Sequence, residues 1–142
     1  MPLTEPRNTD TRLADILALP VAAAAKIWKG GLTAINAAGF AVPASDTAGL
    51  KVVGLAIISI DNTDGANGAA QVEVKRGCFL LANSAANAAT IAHINGPAYV
   101  IDDETVATQS THSIPAGRIH DIAEDGSVWV DTAQPAIIPS AE

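Results

Sequence analysis

Cysteine is nearly absent: the 142-residue chain has one, Cys78, so neither an intrachain disulfide nor a cysteine-based zinc cluster can form. Cys78 lies in Gly77-Cys78-Phe79-Leu80-Leu81, an apolar run in which a small buried thiol is expected rather than a reactive one. A reducing compartment is compatible with it. Cations are also few, with eight Lys and Arg against fifteen Asp and Glu and a formal net charge of −7. Lys75-Arg76 is the one adjacent pair, and Lys26 with Lys29 the other close group; neither makes the basic patch that phosphate contacts require, which argues against a nucleic-acid partner. Long apolar runs are missing as well. Ile16 to Ala25, interrupted by Pro20, and Val52 to Ile60 fall far short of the roughly 20 residues of a spanning helix, so no membrane partner is expected. Glu5, Arg7 and Asp10 stand where a secretory signal would carry a basic stretch followed by an apolar one, so a soluble protein not secreted by that route is expected.

Aromatic residues make up only 4% of a chain that is 49% hydrophobic, so alanine, valine and isoleucine must build the interior. At roughly 25 cal/mol per Å² of apolar surface removed from water, an alanine-rich core stabilises less per residue than one of leucine and phenylalanine. Subunit contacts would make up the difference in an oligomer, and a monomer with a thin core is the other reading. The length fits one domain.

What is present is a succession of short Val/Ile/Ala segments, mostly punctuated by glycine. Val21 to Trp28, Val52 to Ile60, Val72 to Leu81 and Ser127 to Val130 read as strands, and Lys29-Gly30-Gly31, Asn36 to Gly39 and Glu124 to Gly126 as turns between runs that can pair as hairpins. The clearest hairpin runs from Arg118 to Ala123, turns at Glu124 to Gly126, and returns through Val128 to Val130. Ala98 to Ile101 reads as a further strand, and Thr90 to Ile94 as one helical turn or a short strand. The expected fold is mainly β, a single β-barrel or β-sandwich-like domain over residues 20–132, with an N-terminal arm or short helix over 1–19 and a tail over 133–142. In the arm, Thr9-Asp10-Thr11 can cap a helix that places Leu13, Ile16 and Leu17 on one face before Pro20 stops it. That helix either packs on its own domain or docks on a neighbouring subunit.

Little in the chain carries chemistry. His93, His112 and His120 match no metal spacing, and no cofactor or metal is expected. His120-Asp121 is the best oriented imidazole, but adjacent strand residues point to opposite faces. Asp102-Asp103-Glu104 and Glu124-Asp125 sit at strand ends, where solvated turn carboxylates are commoner than convergent ones. The polar stretch Asp61 to Gly68 invites a calcium-loop reading, yet with Asp61 as first ligand the bidentate-glutamate position falls on Val72, which favours a long hairpin tip. No catalytic elbow, phosphate loop or dinucleotide fingerprint occurs, and the expectation is a protein that is not an enzyme. Binding by surface is left. Trp28, beside its glycine turn, and Trp129 are aromatics of the kind that anchor interfaces, or else both fill the core. The candidate interface residues are Leu13, Ile16, Leu17 and Trp28.

The succession Ala25 to Leu32, Ala37 to Ala44, Gly49 to Ala56, Asp61-Asn62 and Val72 to Gly77, continued by Tyr99 to Asp103 and Ala116 to Ile119, resembles head decoration (cement) proteins of tailed bacteriophages and prophages. The likeness spans about residues 20–132 and includes no catalytic signature. The resemblance implies a small β-rich structural virion protein. It would be made in the host cytoplasm, bind the major capsid protein on the outer capsid surface, often as a homotrimer, and stabilise the head. A small ligand-binding β-barrel or other interaction module without catalysis is the alternative, marked by a pocket lined by His93 or His112. An enzyme would need at least two of His112, His120, Asp102 and Asp121 to converge.

Overall fold

The computed structural model describes residues 2, 4–10, 12 and 14–133. Leu13 and the tail residues 134–142 lie outside the described residues. In chain order the strands are β1 (Ile16–Pro20), β2 (Lys26–Ile27), β3 (Leu32–Ile35), β4 (Ala41–Pro43), β5 (Lys51–Ala56) and β6 (Ile60–Asp61). They continue with β7 (Gln71–Lys75), β8 (Cys78–Asn83), β9 (Pro97–Val100), β10 (Thr105–Ala107), β11 (Pro115–Ile122) and β12 (Val128–Asp131). A single 3-10 turn at Ile91–His93 is the only helical element among the described residues, so the protein is mainly β, as expected.

The C-terminal half closes into a five-stranded barrel in the order β10-β8-β12-β11-β9. Its pairings are antiparallel except β8 with β10, which is parallel. The sequence specifies this by alternation: in Val128-Trp129-Val130-Asp131 the two valines are buried and Trp129 faces out. Leu81, Val100, Val106, Ile119, Val128 and Val130 are buried in one apolar cluster, so side chains fill the barrel interior. The hairpin of β11 and β12 forms around Glu124 to Gly126 as the turn residues predict, with a bulge between Ile119 and Asp121.

The N-terminal half gives a five-stranded sheet in the order β1-β7-β5-β3-β4 and a two-stranded ribbon of β2 and β6. Leu32 and Ala34 of β3 are buried in the barrel's cluster, with Val52 and Leu55 of β5 packed against it. A second cluster gathers Val21, Ile27, Val53, Val72 and Val74. The sheet thus has apolar contacts on both faces, which is why Leu32, Thr33 and Ala34 are buried in succession instead of alternating.

Several expectations change, among them the single strand read over Val72 to Leu81, which is divided between β7 of the sheet and β8 of the barrel. The short helix is not formed: Ile16–Pro20 is a strand on β7, with Leu17 opposite Val74 and Leu19 opposite Val72. Leu17 and Leu19 pack on the second cluster while Ile16 and Ala18 face out, so period 2 prevails over the i, i+3 spacing. The first strand of the sheet begins at Ile16. Val21 to Trp28 is strand only at Lys26–Ile27, because a turn at Ala23 and Ala24, with Ala24 at φ 60, interrupts it. Asp61 to Gly68 is no hairpin tip either. It folds back over Val21 and Ala22, held by the buried Asn62, whose Nδ2 donates to Ala22 O at 2.9 Å and Ala66 O at 3.0 Å.

The outer edge of β1 is open among the described residues. The Arg76 amide donates to Asp15 O at 2.6 Å and the Val21 amide to Ala70 O at 2.9 Å, which fixes the hydrogen-bonding phase of the strand. Leu17 and Leu19 accordingly direct their backbone groups to β7, and Ile16, Ala18 and Pro20 direct theirs away.

Candidate docking crevice

Ile27 is fully buried in the second cluster, so its neighbour Trp28 is turned outward and is 56% exposed. The chain then reverses between Trp28 and Gly31: the Gly31 amide donates to Trp28 O at 3.0 Å, and Gly30 takes φ +86, a left-handed conformation that favours glycine. This turn is fixed at two further points, where the Lys29 amide donates to Ser59 Oγ at 2.9 Å and the Gly30 amide to Ala56 O at 2.9 Å. Lys26 Nζ stands 4.2 Å from the centre of the Trp28 ring and 4.0 Å from Asp61 Oδ2.

Opposite the turn is the acidic loop between β9 and β10. The Leu32 amide donates to Asp103 O at 2.7 Å, which fastens the loop to the exit of the Trp28 turn. The Ile101 amide donates to Thr105 O at 2.9 Å and the Glu104 amide to Asp102 Oδ1 at 2.9 Å, so the loop is tight and Asp102 is engaged within it. A crevice of about 310 Å³ lies between the two segments, lined by Trp28, Lys29, Gly30, Gly31, Asp103 and Glu104. A methyl at position 31 would stand 3.4 Å from Asp103 Oδ2, so the carboxylate rests against the glycine. Among the described residues the side chains of Asp103 and Glu104 have no ion-pair partner within 4.0 Å. Two motifs separate in the sequence, the tryptophan turn and the Asp102-Asp103-Glu104 cluster, thus form one surface.

The other interface candidates divide. Ile16 is 45% exposed on the outward side of β1, whereas Leu17 turns inward onto the second cluster. Trp129 faces out from the barrel wall directly opposite Leu80, which is exposed as well, so neither tryptophan is a core residue. Cys78, expected to be buried, is exposed on the same wall because β8 alternates and position 78 falls on its outer face. Partial desolvation, together with the charges of Asp131 and Asp121, holds its thiol above the ordinary range, which disfavours the reactive thiolate.

Residues considered for chemistry stay apart. No hydrogen bond or ion pair joins any two of His112, His120, Asp102 and Asp121, and His120 and Asp121 are both solvent-exposed beside the β11 bulge. His112 instead meets Asp46, a pair the sequence spacing did not single out. The Thr111 and His112 amides donate to Asp46 Oδ2 and Oδ1 at 2.9 and 2.8 Å, and His112 Nδ1 lies 2.9 Å from Asp46 O. Desolvation pushes the Asp46 carboxyl up, but these hydrogen bonds and the nearby imidazole outweigh it and leave the pKa below the ordinary aspartate value. The pair ties the β4–β5 loop to the β10–β11 loop. Beside it a shallow polar depression is lined by Asp46, Asn87, Gln109 and Thr111, among others, and by neither His93 nor His112. No group of three or more His, Cys, Asp or Glu among the described residues is placed to hold a metal ion. Comparison with protein-family models, curated proteins and solved structures gives no match.

Proposed function

We propose that this chain is a structural virion protein that binds the outer surface of a phage capsid and stabilises the head, a decoration or cement protein acting as a homotrimer. The observation that carries this reading is the likeness over residues 20–132, from the Ala25 to Leu32 segment through Ala116 to Ile119. Two structural features support it. The barrel interior is occupied by its own valine, isoleucine and leucine side chains, which weighs against a ligand held in the lumen. Large apolar side chains stand exposed at Trp28, Ile58, Leu80, Ile91 and Trp129, supplying anchors for protein contacts in a chain with few aromatics. A shell built of many copies gains affinity by repeating one modest contact, so no single surface has to bind tightly. The partner in this reading is the major capsid protein, and the site of action is the outside of the head.

The test is sedimentation of the purified protein with undecorated phage heads, alongside its solution mass by light scattering. Saturable binding at a fixed number of copies per head, with a mass of three chains, is the expected result. A strict monomer that binds no heads from any tailed phage tried would refute the proposal.

A further inference from the structure

We infer that the crevice between the Trp28 turn and the Asp103–Glu104 loop receives an arginine side chain from a partner protein. The inference deepens the reading given above and rests on it for the partner's identity, which would be the capsid subunit. Its own basis is charge and shape. The crevice combines an aromatic ring that is 56% exposed with the carboxylates of Asp103 and Glu104, neither of which has a cation within ion-pairing distance among the described residues. A tryptophan face attracts a cation, and a planar guanidinium can lie on the ring while its N–H groups reach carboxylate oxygens. An ammonium can satisfy only part of that arrangement.

The local cations leave the acidic wall free, and because Lys26 already lies over the Trp28 ring, an arriving guanidinium would take the ring's other face or displace that ammonium. Lys26 is held against the Trp28 ring and within 4.0 Å of Asp61, and Lys29, although it lines the crevice, makes no ion pair with either carboxylate. Counting Lys26 and Lys29 against Asp61, Asp102, Asp103 and Glu104, the rim keeps a negative balance. The walls are also held in place before any partner arrives. The acidic loop hangs from the Leu32 amide, and the tryptophan turn from Ser59 and Ala56. Little ordering is required on binding, which suits a contact that is weak singly and repeated many times.

The test uses the full chain and an acetylated, amidated tri-arginine peptide at low ionic strength, followed by the indole N–H resonances of the two tryptophans. The Trp28 indole should shift saturably while that of Trp129, also partly open to solvent on the barrel wall, stays in place. The double variant Asp103→Asn, Glu104→Gln should bind the peptide at least tenfold more weakly, with the Trp129 indole resonance and the urea melt of the free protein unchanged to show that the fold is kept. Tri-lysine should bind several-fold more weakly than tri-arginine. Parallel shifts of both indoles, no shift at Trp28, equal binding of tri-lysine, or full peptide affinity in the double variant would each overturn the inference. The peptide experiment is independent of any phage head, so its failure leaves head binding by the wild-type protein as a separate result.

Discussion

Asn62 is a buried polar side chain that ties the Val21–Ala22 segment to the loop after β6, and its replacement by alanine has a calculable effect. It is 4% exposed, and its Nδ2 donates to Ala22 O at 2.9 Å and Ala66 O at 3.0 Å, with Val21 O farther off at 3.4 Å. The alanine variant loses two good hydrogen bonds worth about 1 kcal/mol each. The larger penalty for an orphaned buried carbonyl does not apply, because each acceptor keeps a backbone partner. Val21 O holds the Gly68 amide at 2.9 Å, Ala22 O the Ala25 amide at 3.3 Å and Ala66 O the Ala69 amide at 3.1 Å. With the lost packing of the amide, the expected destabilisation is about 2–3 kcal/mol, or a fall in Tm of about 5–10 °C for a chain of this size. Asn62→Asp should be worse than Asn62→Ala at pH 7, since it turns a carboxylate toward three carbonyl oxygens. Its folded-state pKa is raised by that burial, so the extra penalty should shrink as the pH falls and the carboxyl takes up a proton. Urea unfolding followed by tryptophan fluorescence measures both variants. A change within about 0.5 kcal/mol for Asn62→Ala would refute the reasoning, because it would mean that water replaces the amide at no loss.

Three further outcomes follow from the geometry. Gly54→Ala should destabilise by more than about 1 kcal/mol in the same assay, because the residue sits at φ +151 and a Cβ would stand 2.7 Å from Lys75 O in the neighbouring strand; a neutral result would mean that the β5–β7 pairing yields locally. Asp46→Asn should be less stable than wild type at pH 7, and the gap should close as the pH drops below about 4. The sign follows from the lowered pKa: the carboxylate stabilises above the ordinary aspartate value and stops doing so as pH falls through the folded one. Denaturant melts at pH 7, 5 and 3 decide it, and an undiminished gap at pH 3 would be the contrary finding. Removal of residues 1–19 should lower stability by about 2–4 kcal/mol by taking Leu17 and Leu19 off the second cluster, whereas removal of residues 1–9 should leave the melt unchanged. A role for the arm in assembly is therefore testable only with a cut ahead of Ile16.

The β-rich character and two local hairpins, one in the barrel and one in the N-terminal sheet, were legible in the sequence. Glu124-Asp125-Gly126 between two apolar runs announced the β11–β12 hairpin, and the turn at Asn36 to Gly39 announced β3 with β4. Local signals were enough there because the pairing is local. The first strand was misread because Leu13, Ile16 and Leu17 fit a helical face, while Leu17 and Leu19 fit an extended one, and only the partners Val72 and Val74 decide between them. Cys78 was misplaced for a related reason: in an apolar run such as Cys78 to Leu81 composition does not reveal phase, and the barrel sets it. The crevice was half legible. Trp28 and the acidic cluster could each be named, but what joins them is a backbone bond from Leu32 to Asp103, and nothing in residue type encodes a main-chain contact across such a separation. Asp46 and His112 meet through the Asp46 carboxylate across 66 residues of chain, a separation that no local pattern bridges.

The open edge of β1 bears on strand addition between copies of this chain. An unpaired strand edge is a template for chain-on-chain addition, and its hazard grows with the number of amides it offers in line. Here the outward-directed positions are Ile16, Ala18 and Pro20, and proline has no N–H, so the template has only two rungs. The adjoining strand shows Lys75, Glu73 and Gln71 on the exposed side of the same sheet, which breaks any continuous apolar strip beside those rungs. At this edge of the sheet the stretch open to strand addition is thereby limited to two amides.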